Sequence, residues 1–475
     1  MCWGVALSEP LKSPASAHPL APLHDPATIR ARCAGLLRAV EQDLSPSFKL
    51  DRSRLPALAD RVAALTLRRF PTLEIPYHSR WRHFEAGGVD RKAELDQRLA
   101  GRSAAEVARV HFDLTVVSVL LDAGAGAHWQ YSESTPLSAA ALPQAAPDEL
   151  LALLAKAASA PAQPALAAAT PLPEGAPPAQ RYQRSEGLGV ASFRAFMAGA
   201  FSATPGDPQR ADAAALRHVD AAALRAIFQS SPSNPMVGLE GRASLLARLG
   251  AALQQEAALD TARGLPAQAR PGLLFDRVTA YGTRSAVQAA EVLGEVLRSL
   301  SPIWPSGSKV QGLAAGDVWP HLWAGAAIGG GRLDHTTDGW VPFHKLSQWM
   351  TYSLLEPLQW AGIRVSGLDA LTGLPEYRNG GLLIDGGVIV PRHAGLLART
   401  WKPRDELVIE WRALTVLLLD ELAVLVRSRL GKTAEELPLA CILEGGTWAA
   451  GREIAQELRA EGSPPLLIES DGTIF

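Results

Sequence analysis

The stretch SAAEVARVHFDLTVVSVLLDA, residues 103–123, constrains the fold of this chain more than any other. It opens on Ser103-x-x-Glu106, the pattern of a reciprocal helix cap, and then becomes almost wholly apolar. A helix that is apolar all round has to be surrounded by protein, so an interior helix is predicted here, with other helices enclosing it. The enclosing candidates recur along the chain. Residues 28–44 place Ile29, Cys33, Leu36, Leu37, Val40 and Leu44 on one helical face, with Asp25 or Thr28 positioned as the cap. Similar 3.6-residue patterns cover 53–70, 187–201, 212–229, 242–257, 284–300, 405–429 and 447–461. Strand signals come late. Residues 380–391, GGLLIDGGVIVP, carry two short apolar runs around Asp385-Gly386-Gly387, which predicts a hairpin, and 466–468 could add an edge. The fold class is therefore mainly α with a small β element.

With 475 residues and 47% hydrophobic content, the chain can bury one large core or two ordinary ones without disulfides or a structural metal. Residues 1–25 are proline-rich and lack the basic start and apolar centre of a secretory signal, so they read as a disordered tail. A helical region, 26–156, follows. An Ala/Pro-rich connection, 157–180, has prolines at 161, 164, 171, 173, 177 and 178, too many for a continuous helix. Residues 181–475 form the remaining body. No apolar run approaches the roughly 18 residues of a membrane helix. The 46 basic and 48 acidic residues nearly cancel, without the excess of a nucleic-acid binder. A small-molecule partner is expected, with no nucleic acid and no membrane. Three dispersed cysteines fit a reducing compartment, and the cytoplasm is the expected location. No repeat of solenoid length occurs.

Two places concentrate chemistry. Eight of the twelve tryptophans, at 304, 319, 323, 340, 349, 360, 401 and 411, fall in one region. Interleaved with them are Lys309, Gln311, Asp317, His321, Asp334, His335, Asp338, His344, Lys345, Gln348 and Tyr352. Flat rings among charges and donors suit a polar heterocycle or sugar, while a packed core with a polar rim would show the same mixture. The second place is Tyr77-His78-Ser79-Arg80-Trp81-Arg82-His83-Phe84-Glu85, followed by Ala86-Gly87-Gly88-Val89-Asp90-Arg91. Its arginines and histidines beside a Gly-Gly turn could grip a phosphate, or could form an ion-pair cluster that pins a loop. Walker, dinucleotide, nucleophile-elbow and His-Glu-x-x-His motifs are all absent, so no cofactor is expected. Gly329-Gly330-Gly331 reads as a flexible turn. A metal on His335, Asp338 and His344 has no diagnostic spacing, and none is expected.

Three runs carry a resemblance: HSRWRHFEAGGVDR (78–91), FHKLSQWMTYSLLEPLQWAGI (343–363) and GGLLIDGGVIVPR (380–392). They resemble the signatures of a family of uracil-catabolism proteins of fungi and bacteria, over nearly everything after residue 26. The resemblance implies a place in a pathway that degrades uracil through a ribosylated intermediate toward urea. A more distant series is similar to the queuosine 5′-phosphate N-glycosylases, whose helical fold is related to DNA glycosylases. It runs through Arg225-Ala226-Ile227-Phe228 to Pro235, Leu239-Glu240-Gly241-Arg242, Lys309 with Asp317 and Trp319, residues 346–357, and Glu410-Trp411-Arg412-Ala413. That similarity implies a DNA-glycosylase-like helical core with a β insertion near 364–392. Where those enzymes keep a catalytic aspartate, this chain has Thr351.

The resemblance implies hydrolysis of an N-ribosidic bond in a ureido-ribose or its 5′-phosphate, through an oxocarbenium-like state that needs a carboxylate beside the anomeric carbon. Asp338, Glu356 and Asp385 are the replacement acids nearest Thr351. Lys309 and Asp317 would orient the ribose, and His335 or His344 would assist the leaving group. Arg80, Arg82 and Arg412 would take a phosphate, with His83 beside them. Trp340, Trp349 and Tyr352 would line the sugar. The alternative is a scaffold that lost its acid and binds a metabolite or a partner enzyme. The oligomeric state stays open.

Overall fold

The computed structural model describes residues 18–126, 128–133, 180–304, 308–326, 337–459 and 461–469. The chain is mainly helical. Its helices are α1 (Pro26–Glu41), α2 (Leu55–Arg69), α3 (Arg80–Phe84), α4 (Arg91–Arg98), α5 (Ala104–Leu120), α6 (Arg184–Met197), α7 (Ala213–Leu216), α8 (Ala221–Ile227) and α9 (Leu239–Ala262). They continue as α10 (Leu273–Val278), α11 (Ala289–Leu300), α12 (Leu322–Ala326), α13 (Lys345–Trp360), α14 (Tyr377–Asp385), α15 (Glu406–Leu430), α16 (Leu439–Ile442) and α17 (Trp448–Leu458).

α5 is the interior helix its sequence demands. Ser103 caps it by accepting the N–H of Glu106 at 3.3 Å, and from Val110 to Leu120 every residue is buried. The Glu106 carboxylate does not complete the reciprocal cap. It pairs instead with Arg109 and Arg270. The polar residues of α5 are satisfied inside the protein: Asp113, wholly buried, accepts from the equally buried Arg270 at 2.6 Å and from the N–H of Gly272 at 2.8 Å. α13 and α6 pack on α5, and α15 packs between α1 and α2. One continuous apolar core runs through these contacts, from Ile29 to Leu466. Among the described residues no helix is long and apolar enough to cross a membrane.

The strands occur only as pairs. β1 (Phe48–Leu50) is antiparallel to β10 (Ile389–Pro391), β2 (Gln130–Glu133) to β3 (Gln180–Gln183), β5 (Lys309–Val310) to β6 (Leu313–Ala314), and β7 (Val318–Pro320) to β8 (Trp340–Pro342). β4 (Ala286–Gln288) runs parallel to β9 (Arg364–Ser366), and β11 (Thr400–Trp401) parallel to β12 (Leu467–Ile468).

The hairpin expected at 380–391 does not form. Its first apolar run belongs to α14, and its second, β10, pairs with β1 from the far end of the chain. The glycines act as contact points rather than turn formers. A side chain at Gly380 would strike the Trp411 ring, and one at Gly451 the Arg378 carbonyl, so α14 lies close against α15 and α17. Part of the expected disordered tail is also ordered. Leu20 and Leu23 are buried against Val310, Ala315 and Val318, because this short apolar run covers the β5–β7 region. The pattern at 212–229 resolves into two short helices, since Asp212 and Asp220 each cap a separate start. The Ala/Pro-rich connection, apart from Gln180, lies outside the described residues, as does Gly329-Gly330-Gly331.

Candidate functional site

Two of the recognised runs meet face to face. At about 100° per residue, Lys345, Trp349, Ser353, Glu356 and Trp360 fall along one stripe of α13. The short α3 docks on that stripe. The N–H of Arg80 donates to Ser353 Oγ at 2.8 Å and the Trp81 indole donates to the Ser353 carbonyl at 3.0 Å. Ser79 Oγ donates to one oxygen of Glu356, and Arg82 Nη2 to the other at 2.9 Å. The Arg80 guanidinium lies 5.6 Å from the Trp349 ring, the His83 ring meets Trp349 edge-on at 5.8 Å, and Trp81 meets Trp360 at 4.7 Å.

The inner end of this contact is rich in buried ionisable groups. Arg80 is wholly buried and donates to Ser118 Oγ at 2.6 Å, Asp122 at 2.8 Å and the Ser185 carbonyl at 3.1 Å. Burial, reinforced by the Arg80 charge, holds the His83 pKa well below the usual histidine range, so the ring is neutral at pH 7. Burial lowers the Lys345 pKa, against a raising influence of Glu376. Glu376 sits before α14 and caps it, accepting from the N–H groups of Arg378 at 2.8 Å and Asn379 at 2.6 Å. Burial nevertheless raises its pKa, and Lys345 and His78 lie within its electrostatic range. Tyr377 follows, its hydroxyl pKa raised by burial.

A second cluster adjoins the start of α13. Asp317 accepts both arms of Arg412, the Trp319 indole N–H at 2.7 Å and the Lys345 N–H at 3.0 Å. Burial pushes its pKa up, but the Arg412 charge and hydrogen bonds outweigh this and hold it at about 2. Arg412 also stacks 4.2 Å above the Phe343 ring. His344 adopts a left-handed backbone (φ +48°), and its Nε2 meets the Leu23 carbonyl at 2.8 Å.

The residues expected from sequence therefore fall into separate neighbourhoods. Arg80, Arg82, His83, Trp349 and Glu356 share the α3–α13 contact, while Asp317, His344 and Arg412 form the adjoining cluster. Tyr352 donates to the Thr372 carbonyl at 2.9 Å, within the core. Lys309 is exposed on β5, and Trp340 packs against the Leu20–Leu23 cluster. Asp338 pairs with Arg32 at 2.8 Å, and Asp385 pairs with Arg459 at the end of α14. His335 lies outside the described residues. Thr351 points away from the α13 stripe, wholly buried, and its hydroxyl donates to the Ser347 carbonyl at 2.8 Å. Sequence reasoning missed Glu376, Tyr377, Asp122 and Ser185. The one available signal was a Pro-Glu pair just ahead of a helix.

At the outer end of the contact a cavity of about 350 Å³ opens, lined by Trp81, Arg82, Phe84, Glu85, Lys92 and Trp360 among others. The Lys92 ammonium lies 4.4 Å from the Trp360 ring. Among the described residues no group of three His, Cys, Asp or Glu is placed to hold a metal.

Comparison with known proteins agrees with the resemblance carried by the three runs. Protein urg3 of Schizosaccharomyces pombe is 35% identical over 455 residues, covering 94% of this chain and 96% of its own. Uracil catabolism protein 4 of Lachancea kluyveri is 33% identical over 455 residues, covering 90% and 92%. Residues 22–142 and 174–475 match the family described as "Protein of unknown function (DUF1688)", and the chain belongs to that family.

Proposed function

We propose that this chain is an enzyme of uracil catabolism that hydrolyses the N-ribosidic bond of a ureido-ribose, either ribosylurea or its 5′-phosphate. The printed name of the Lachancea relative supports the pathway, and the resemblance to queuosine 5′-phosphate N-glycosylases read in the sequence suggests the bond type. The observation that carries the reading is Glu376, a buried carboxyl that caps α14 and lies within electrostatic range of Lys345 on the α13 stripe, from which Thr351 is turned away. Glu376 takes the part that Thr351 cannot.

In the reaction, water adds to the anomeric carbon, the C–N bond breaks, and urea leaves with a proton. Glu376 stabilises positive charge at the anomeric carbon. Neutral His83 orients the water, and the Trp349 face covers the sugar. Glu356 positions α3 through Ser79 and Arg82. Asp338 and Asp385 are engaged with Arg32 and Arg459, away from this face.

The test is release of urea by purified protein from ribosylurea and from its 5′-phosphate. Turnover of at least one is expected, and Glu376→Gln should lower kcat by roughly a hundredfold or more without lowering the unfolding midpoint. The second reading, a metabolite-binding or partner-binding scaffold, is favoured by the missing aspartate at Thr351. Measurable binding without urea from either compound would select it.

A further inference from the structure

The guanidinium of Arg80 uses Nε and Nη1 for its bonds to Ser118, Asp122 and Ser185. Its Nη2 is buried and has no hydrogen-bond partner. An unsatisfied buried donor is costly, and folded proteins rarely keep one that nothing completes. The neighbouring Trp349 is 7% exposed, and its indole N–H is also buried and unpartnered. Two orphan donors thus sit on side chains whose guanidinium carbon and ring centre are 5.6 Å apart.

Lys345 lies one turn before Trp349 on the same stripe of α13. Its ammonium makes no hydrogen bond or ion pair among the described residues, yet it lies within electrostatic range of Asp122, the partner of Arg80. Each oxygen of the nearby carboxylates already accepts one hydrogen bond. Asp122 accepts from Arg80 and from Ser185 Oγ at 3.0 Å, and Glu376 caps α14. Two orphan donors and the Lys345 charge one turn away therefore lie along one stretch of the α3–α13 contact. A cation would be repelled there, and an apolar group would leave every donor unsatisfied. A group with several terminal oxygens and negative charge satisfies all three.

We propose that Arg80 Nη2, Trp349 Nε1 and Lys345 Nζ form a subsite for the phosphate of a sugar phosphate. The identity of the sugar rests on the N-ribosidase reading. The anion does not. The subsite selects ribosylurea 5′-phosphate over ribosylurea as the substrate, and it narrows the phosphate-binding set from Arg80, Arg82 and Arg412 to Arg80 alone. Arg412 gives both arms to Asp317, and both terminal nitrogens of Arg82 pair with Glu85 and Glu356, which leaves only its Nε unpartnered.

The test is calorimetric titration of the full chain with inorganic phosphate, ribose 5-phosphate and ribose. Ribose 5-phosphate should bind at least roughly tenfold more tightly than ribose, and inorganic phosphate should compete with it. Trp349→Phe keeps the ring and deletes the N–H, while Lys345→Met changes a half-buried side chain. Each should weaken ribose 5-phosphate by roughly ten- to a hundredfold, with circular dichroism unchanged. Equal affinity for ribose and ribose 5-phosphate, or parental affinity in either folded variant, overturns the subsite. Ribose 5-phosphate bound through these residues without urea release keeps the subsite and removes the N-ribosidase reading. Urea released at equal kcat/KM from both compounds does the reverse.

Discussion

Asp317 and Arg412 are joined by two parallel hydrogen bonds of 2.7 Å, with the two side chains 9% and 0% exposed. The pair ties the middle of α15 to the segment that starts α13. The Asp317 carboxylate also accepts from the Trp319 indole and the Lys345 N–H, and its backbone carbonyl accepts from the Phe343 N–H at 2.9 Å. Breaking one partner strands a buried charge, so Asp317→Asn and Arg412→Met should each cost about 3–5 kcal/mol in urea denaturation. The double variant should cost clearly less than the sum, because it leaves no unpaired charge. Additive losses would mean that the two side chains act independently.

The same pairing sets a response to acid. The Asp317 pKa is held at about 2 against an ordinary 3.8, and that of Glu444 at about 2 against 4.5. For Glu444, burial works in the opposite direction and is outweighed by the His78 hydrogen bond and charge and by Arg69. A depressed carboxyl stabilises the fold fully above its unfolded pKa and loses that contribution as pH falls through the folded one. About 2 kcal/mol from Asp317 and about 3 kcal/mol from Glu444 should therefore disappear between pH 5 and pH 2. Stability measured across that window should fall less steeply in Asp317→Asn and Glu444→Gln than in the parent.

Glu410 has the opposite sign. It is buried on α15, with Ser45 Oγ donating to it, and burial raises its pKa to about 7. A raised carboxyl weakens the fold as pH climbs from the unfolded value, 4.5, toward 7, a loss of about 3 kcal/mol. Glu410→Gln keeps an acceptor for Ser45 and removes the charge. Its unfolding midpoint should match the parent at pH 4 and exceed it at pH 8. An equal midpoint at pH 8 would mean that Glu410 is already ionised at no cost.

What was legible in the sequence is what a periodic pattern or a cap encodes. The α5 spine followed from its cap and its unbroken apolar run, and the runs that form α3 and α13 were each recognised, but nothing local records that they meet. The hairpin was misread because paired glycines around short apolar runs look alike whether they turn a strand or let a helix approach Trp411 closely. Glu376 was invisible for a different reason. A capping glutamate acquires a raised pKa only when long-range packing buries it, and no local pattern records that. The ordered part of the tail, Leu20 and Leu23, likewise depends on partners about 300 residues away.

The position of Thr351 tests which face of α13 carries the proposed reaction. Two residues beyond Trp349, it is turned by about 200° around α13, toward the core rather than toward Lys345 and Glu376. Placing an acid there, as Thr351→Asp, should not create or raise urea release. Thr351 is wholly buried and its hydroxyl is satisfied within the helix by the Ser347 carbonyl. The new carboxylate would be fully buried and placed against the Ser347 carbonyl, at a cost of about 3–5 kcal/mol. The expected outcome is a lower thermal midpoint with no gain in urea release, while Glu376→Gln loses release without lowering the midpoint. A Thr351→Asp variant with increased kcat would place the reacting sugar on the opposite face of α13 and transfer the catalytic role away from Glu376.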